Sequence, residues 1–202
     1  AGNARLIGHY TQTFTVNQDQ DTTFAGLIVS ENGVFNLAKR GPATLRLTGA
    51  NTYNGTTLVA DGLLQVGDGG TSGTLGTGAV TIDASLAFVR SNDLTLPNAL
   101  SGTGTLVQAG TGTLILPGTN VLLAGLIEIS NGTLAVQGPI AASGLTVGSA
   151  GTLCGTGEIA AAVIAEGRIV AGWNGDGALG IMGDLTMGPT AALQFALAGP
   201  GV

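Results

Sequence analysis

The stretch that decides the fold runs from Gly41 to Val66 and reads GPATLRLTGANTYNGTTLVADGLLQV. A degenerate copy runs from Gly110 to Val136 and reads GTGTLILPGTNVLLAGLIEISNGTLAV. Each copy contains short apolar strands separated by turns that are rich in Gly, Asn and Thr. A unit of this kind that recurs along a chain is typical of a stacked coil, or solenoid, rather than of a domain with one central core.

The two copies align residue by residue. Leu45 corresponds to Leu114, and the alignment continues to Gly62 and Gly132 after one inserted residue in the second copy. Within each copy the apolar strand recurs after about 20 residues, which predicts a coil of that length. The offset from Leu45 to Leu114 then corresponds to about three coils. The repeat is carried by Leu45, Leu47, Gly49, Asn51, Tyr53, Gly55, Gly62 and Leu64 in the first copy, and by Leu114, Leu116, Gly118, Asn120, Gly132 and Leu134 in the second.

Composition independently predicts an all-β solenoid. The chain has 36 glycines in 202 residues and only 9% charged residues, so it is too apolar for a disordered segment and too rich in glycine for ordinary helices. Glycine suits a coil that turns every few residues, because it adopts positive φ at little steric cost. No run predicts a helix, and the best candidate, 160–165, is short and contains the Val and Ile that strands prefer.

Part of the sequence resembles a known family. The string LRLTGANTYNG, from Leu45 to Gly55, followed by Gly62-Leu63-Leu64, is similar to the passenger-associated transport repeat of bacterial autotransporters. The segment from Gly151 to Met187 resembles the last coils of such passengers, although Trp173 departs from the family pattern at its turn.

The resemblance implies a right-handed parallel β-helix that forms a single segment of a larger passenger. Residues 1–37 would be weakly similar N-terminal coils, residues 38–150 repeat coils, and residues 151–197 C-terminal coils that hold the folding nucleus. The implied function is a non-catalytic stem of a protein that is secreted and displayed on the bacterial surface. The implied partners are the protein's own C-terminal translocator barrel and the outer-membrane assembly machinery.

Two alternatives to the stem stay open at this point. The first is an adhesin that binds a host-cell protein or glycan, for which Tyr53 and Trp173 are the candidate contact residues because aromatic side chains in turns often make such contacts. The Asn-Thr-Tyr turn of the family commonly contains a tyrosine, so the resemblance favours packing against the next coil over a surface contact. An adhesin predicts an exposed apolar or aromatic patch on one face, whereas a pure stem predicts polar side chains all round. The second alternative is a polysaccharide-degrading β-helix enzyme.

The distribution of the titratable residues argues against a polysaccharide-degrading enzyme. Such enzymes need clustered carboxylates, and the acidic residues here are dispersed. Partners about one coil apart would be Glu166 with Asp184 or Asp61 with Asp83. His9 is the single histidine and has no supporting motif, so neither a metal site nor a catalytic triad is expected. We therefore expect no enzyme activity and no cofactor. The run from Gly67 to Gly70 is interpreted as a turn, because the calcium-binding motif that it resembles is not iterated.

Charge and cysteine usage set further expectations. The net charge of −6 and the absence of a basic stripe make nucleic acid a poor partner. The pair Lys39-Arg40 is interpreted as a solvated turn, and the single cysteine, Cys154, as a buried small apolar residue. Thr-x-Thr pairs, which are typical of ice-binding faces, occur at Thr103-Thr105 and Thr111-Thr113. An ice-binding face needs such a pair on nearly every coil, and Leu45–Leu47 lacks one. The threonines are therefore explained by strand propensity.

The chain also lacks an export signal in its own sequence. It contains no apolar run long enough to span a membrane and no basic segment followed by an apolar one, so we expect an internal piece of a longer protein. A truncated stack of strands has open edges, which predicts end-to-end self-association unless a terminal segment covers them.

Overall fold

The computed structural model describes residues 4–118 and 121–195, and within these ranges it contains 24 strands and no helix. The first twelve strands are β1 (Arg5–Gly8), β2 (Gln12–Asn17), β3 (Thr22–Phe24), β4 (Leu27–Ser30), β5 (Phe35–Arg40), β6 (Thr44–Leu47), β7 (Thr57–Val59), β8 (Leu63–Val66), β9 (Val80–Ile82), β10 (Ser85–Phe88), β11 (Leu94–Thr95) and β12 (Leu100–Gly102). The remaining strands are β13 (Thr105–Gln108), β14 (Thr113–Leu116), β15 (Val121–Leu123), β16 (Leu126–Val136), β17 (Ile140–Ala141), β18 (Gly144–Gly155), β19 (Glu158–Ala160), β20 (Val163–Ala165), β21 (Arg168–Ala171), β22 (Gly180–Ile181), β23 (Leu185–Met187) and β24 (Ala192–Gln194).

The strands stack in three columns, which form the three faces of a coil. The first face is a nine-stranded sheet in the order β2-β5-β7-β9-β12-β15-β17-β19-β22. The second face has the order β3-β6-β8-β10-β13-β16-β18-β20-β23. The third face starts with the pair β1-β4 and later continues through β11, β14, β16, β18, β21 and β24, because β16 and β18 are long enough to turn a corner and serve two faces.

Neighbouring strands within each column run parallel, so the described residues form a parallel β-solenoid of about nine coils. On the second face, seven register steps lead from Leu45 to Leu185. Dividing this stretch by seven gives a coil of about 20 residues, a usual length for strand-and-turn solenoids. The predicted all-β solenoid and its coil length are confirmed. The right hand of the coil stays a prediction from the family resemblance.

The relation between the two repeat copies differs from the prediction. Three register steps from Leu45 lead through Leu64 and Leu86 to Leu106, which precedes Leu114 in the sequence. Leu114 lies in the same coil as Leu106 but one face further on, where it pairs with Leu94 and Leu134. The offset from Leu45 to Leu114 is therefore three coils plus one face, which adds one face to the predicted offset of about three coils. Because the three faces are built from similar strands, the two copies align in sequence although they lie on different faces.

The core is the inside of the coil, and it consists of aliphatic columns that run along the stack. On the second face the inward column contains Leu45, Leu64, Leu86, Leu106, Ile127, Leu145 and Val163, all buried. Each residue of such a column packs against its counterparts one coil away, so every additional coil extends the core instead of enlarging a centre. Alternation along each strand sends the intervening side chains outward.

Candidate functional site

The repeat residues lie in the interior and at the corners of the coil. All six of the repeat leucines are buried: Leu45, Leu47 and Leu64 on the second face, and Leu114, Leu116 and Leu134 on the third face. The two copies thus place equivalent residues on different faces. What the repeat determines is the inside of the coil rather than one outer surface.

The first repeat copy also fills a gap in the sheet of the third face. Between β4 and β11 the described residues form no strand on this face. Backbone hydrogen bonds such as Thr52 N to Ile28 O at 2.9 Å still link the coils there, and side chains of the repeat add to them. Asn51 is buried, accepts a hydrogen bond from Ile28 N at 2.8 Å and donates to Thr74 O at 2.7 Å. An amide carries both an acceptor and donors, so Asn51 joins the coil before it to the coil after it.

Tyr53 is fully buried, so its role as a surface contact was wrong and its packing role is confirmed. Its hydroxyl lies 2.6 Å from Thr57 Oγ1, which occupies the inward column of the first face between Leu37 and Val80. Burial raises the pKa of the phenol. A buried Tyr hydroxyl needs a partner, and Thr57 supplies it inside an otherwise apolar column.

The repeat glycines lie at corners where adjacent coils touch. Gly62 and Gly132 have φ values of 65° and 63°, although Gly62 lies between the first and second faces and Gly132 between the second and third. A Cβ atom on Gly49 would overlap Gly26 O, and one on Gly55 would overlap Asn36 Oδ1. Gly118 combines a φ of 83° with close contact to Gly138, whereas Asn120 lies outside the described residues. Corner glycines are therefore required both for conformation and for space.

The structure contradicts the interpretation of Lys39 as part of a solvated turn. Lys39 is fully buried in the inward column of β5, in register with Val16 and Val59. Its Nζ donates to the carbonyl oxygens of Arg40 at 2.8 Å, Gly41 at 2.6 Å and Asp61 at 3.2 Å. The three donors of an ammonium group match these three acceptors.

Burial lowers the pKa of Lys39, while the carboxylates of Asp61 and Asp21 oppose this shift. The sequence held a signal that the prediction overlooked. Phe35, Leu37 and Lys39 alternate along β5, which places all three on the same side of the strand. Arg40, the other half of the pair, is exposed as expected.

Arg90 binds to the longest segment between two consecutive strands, the excursion that connects β8 to β9. Its Nη1 donates to Gly73 O at 2.6 Å, and its Nη2 donates to Thr71 O at 2.7 Å. Asn92 Oδ1 holds the guanidinium from the other side at 2.9 Å. The segment 67–70 is indeed an irregular turn, and Gly69 N donates to Val89 O in the next coil. The Arg90 side chain therefore binds the segment between β8 and β9 to the coil that follows it.

Cys154 is buried as predicted and lies in β18. Burial raises the pKa of its thiol to about 11. Cys154 pairs in register with the apolar residues Ala135 and Val170 of the neighbouring coils. A thiol with such a pKa holds little thiolate at neutral pH and is a poor nucleophile.

The titratable side chains do not meet as a catalytic group would. His9 Nδ1 lies 3.6 Å from Glu31 Oε2, and Arg5 Nη2 lies 3.7 Å from Glu31 Oε1, on an open surface. Glu166 and Asp184, which are about one coil apart in the sequence, flank opposite ends of the β20–β23 pair and do not meet. Thr190 Oγ1 donates to Glu166 Oε2 at 3.2 Å. Among the described residues no group of three or more His, Cys, Asp or Glu side chains could hold a metal ion.

The outer surface carries two apolar grooves. One, of about 310 Å³, lies on the third face where its sheet is interrupted, and its lining includes Thr52, Leu75 and Leu96. The other, of about 400 Å³, lies on the first face, and its lining includes Leu122, Pro139 and Ala160. Their position on two different faces shows that the outside of the coil is not uniformly polar.

Trp173 is half-buried in a tight turn. Its backbone N donates to Asp176 O at 2.8 Å, and Asp176 N donates back to Trp173 O at 3.0 Å. Asn174 in this turn has a φ of 52°. The role of Trp173 as a contact residue stays a prediction. No helix of sufficient length and apolarity to span a membrane occurs in the part of the chain that the structure describes.

The fold and its corners define the class of protein: a β-solenoid built from a repeat whose apolar residues face inward. The family model of the passenger-associated transport repeat matches residues 37–66 and 106–136. These ranges contain both repeat copies, and the recognition of an autotransporter passenger with such repeats is confirmed.

A curated relative carries the same indication. The chain is 42% identical over 85 residues to the protein named adhesin BmaC autotransporter, from Brucella suis biovar 1 (strain 1330). The aligned region covers 42% of this chain and 2% of that relative, so the chain spans a small fraction of the relative's length. No solved structure matches the chain.

Proposed function

We propose that this chain is a non-catalytic structural stem of a secreted autotransporter passenger, and that it supports export through the outer membrane, folding and display at the cell surface. The observation that carries the proposal is the one-face shift between the repeat copies. Outward residues of the two copies point in different directions, so repetition builds no continuous binding stripe. What both copies share is a set of buried leucines and corner glycines, which serve stacking.

The stem would work by templated addition of coils. An incoming segment pairs with the edge of a coil that is already folded, and its apolar residues extend columns that already exist. The chain's own translocator barrel and the outer-membrane assembly machinery are the partners in this step. We place the folding nucleus in residues 151–197, as the family resemblance indicates, and growth then proceeds toward the N-terminus.

Two deletions in the full-length parent protein test the stem. The first removes 151–197. The matched control removes 64–105, which takes out two complete coils and preserves the register, because Leu64 and Leu106 are stacked two steps apart. Flow cytometry with an N-terminal epitope then measures surface display.

We expect loss of display for the first deletion and retention for the second. Normal display after removal of 151–197 would contradict the folding role of these coils. Loss of display in both would show that length, and not the C-terminal coils, controls display.

Adhesion is the second candidate function. It is favoured by the name of the curated relative and by the large apolar side chains on the first face. Binding to host cells, measured on parent protein that displays normally, separates this function from the stem. A variant with normal display and lost binding would assign adhesion to the altered surface.

A further inference from the structure

A row of apolar side chains points outward from the first face in the C-terminal half of the chain. Leu122 pairs in register with Ala141, Ala141 pairs with Ala160, and Met182 directly follows Ile181, the partner of Ile159. Met182 therefore continues the same row. We call Leu122, Ala141, Ala160 and Met182 the first-face stripe.

The large members of the stripe are strongly exposed. Leu122 is 67% exposed and Met182 is 71% exposed. Across the adjoining corner and on the second face, Leu126 and Ile164 are 48% and 51% exposed and widen the apolar area. The groove of about 400 Å³ is lined by three of the stripe residues. Contiguous exposed apolar surface of this kind marks an interaction site more often than scattered side chains do.

The stripe begins at a definite coil. In the two coils directly before it the same outward row is occupied by Thr81 and Ser101, which are polar, and one coil earlier by the half-buried Leu58. The strands on either side of this change share one backbone geometry, so the coil itself does not demand apolar side chains there. Stacking explains the inward Val121, Ile140 and Ile159, but it does not explain Leu122 or Met182.

The rim of the stripe is acidic. Exposed Glu158 precedes Ala160 by two residues on β19, exposed Asp184 follows Met182 by two residues, and exposed Glu128 follows Leu126 by two residues. None of these three carboxylates forms an ion pair with another described residue. From residue 91 onward the sequence has six acidic residues and a single basic one, Arg168, which lies on the third face.

We propose that the first-face stripe binds a protein segment that presents apolar side chains between lysines or arginines. The apolar row supplies buried area, and the acidic rim selects a basic partner by charge complementarity. A second copy of this chain fits poorly, since it would bring the same carboxylates against each other at a net charge of −6 per chain. This inference goes beyond the stem role and is tested on the isolated chain, so neither result depends on display.

The test uses a fluorescein-labelled amphipathic helical peptide of about 18 residues, five turns long, made of leucine and lysine. A matched peptide carries glutamate in place of every lysine. Binding is followed by fluorescence anisotropy at about 0.05 M and about 0.5 M salt, where charge screening differs strongly. Circular dichroism and urea unfolding confirm that every variant keeps the fold.

Three variants separate the contributions. Leu122→Ser combined with Met182→Ser removes the apolar row, and Glu128→Gln combined with Glu158→Gln neutralises the rim. The control is Val34→Ser, which removes a side chain that is 42% exposed outside the stripe.

We expect saturable binding of the lysine peptide, at least about tenfold weaker for the apolar double variant and unchanged for Val34→Ser. The rim variant should bind about threefold to tenfold more weakly at low salt and the same as wild type at high salt. Three results would each overturn the proposal: no binding of the lysine peptide to wild type, equal binding of the glutamate peptide, or full binding by the apolar double variant. Sedimentation that shows a dimer dissolved by the same double variant would overturn it in favour of a second copy.

Discussion

Lys39 is the residue that most directly tests the interior of the coil. Its ammonium group satisfies three corner carbonyls, and its methylene chain fills a place in an aliphatic column. Lys39→Met removes the hydrogen bonds but keeps most of the volume, so we expect a loss of about 1–3 kcal/mol in the free energy of unfolding. Lys39→Ala also leaves a void, and we expect a loss of about 3–5 kcal/mol.

Urea unfolding monitored by circular dichroism checks both Lys39 variants, with exposed Arg40→Met as the control. The control should change stability by less than about 0.5 kcal/mol. A Lys39→Met protein as stable as wild type would mean that water satisfies the three carbonyls equally well. The buried column would then tolerate an aliphatic residue at this position.

Cys154 gives a second prediction at the scale of the residue. Because the pKa of its thiol is about 11, the thiolate fraction at pH 8 is about one in a thousand, far below that of an unfolded cysteine. We expect a disulfide reagent to modify the folded chain at least about a hundredfold more slowly than the chain in urea. Below pH 11 the native rate should rise with pH, since each unit multiplies the thiolate fraction by ten.

Absorbance of the released thiolate measures the Cys154 reaction. Rapid modification of the native chain at pH 8 would show that this part of β18 opens easily. Rates that follow the urea dependence of unfolding would instead confirm that the thiol reacts only after the coil has opened.

At the scale of the element, the corners control stacking. A Cβ atom on Gly125 would overlap the backbone oxygen of Gly104 in the preceding coil. Gly125→Ala must therefore push two coils apart, and we expect it to cost about 2–4 kcal/mol. The matched control is Gly70→Ala in the excursion between β8 and β9, where the nearest atom would be Asp68 Oδ1 at 3.4 Å.

We expect Gly70→Ala to change stability by less than about 0.5 kcal/mol. Both proteins are compared by urea unfolding at equal concentration. If the two substitutions had equal effects, close contact between corners would not limit the spacing of the coils.

At the scale of the whole molecule, stability should vary along the stack. Strands β22, β23 and β24 each pair with one other described strand, whereas β18 pairs with strands on both sides. Leu185 and Leu193 in the last described coil are 40% and 43% exposed. We expect amides in 180–195 to exchange at least about tenfold faster than those in 144–155, because opening an end coil breaks one interface instead of two.

Hydrogen exchange with mass spectrometry measures this gradient and also tests the proposed end-to-end association. A tenfold higher protein concentration should slow exchange in 180–195 if the open edges of two chains pair. Uniform protection along the chain would contradict the picture of separable coils. A gradient that does not depend on concentration would keep the coil model and reject the association.

Sequence reasoning succeeded for features that every coil repeats. The glycine corners, the apolar alternation and the regular recurrence of the strands determined the all-β solenoid and the burial of the repeat leucines. It also predicted the burial of Cys154 and found no helix in 160–165, where the structure has parts of β19 and β20. These properties depend only on local pattern, because each strand must present apolar side chains inward and each corner must turn.

Tertiary structure alone decided which face each strand occupies. The faces are chemically similar, so the sequence offset between the repeat copies could not distinguish three coils from three coils plus one face. For the same reason the sequence pattern placed Lys39 in a solvated turn and indicated Tyr53 as a candidate contact. Register with the neighbouring coil decides whether a side chain points inward or outward, and both side chains are buried. Register also brings Leu122 and Met182, which are three coils apart in the chain, onto one exposed row.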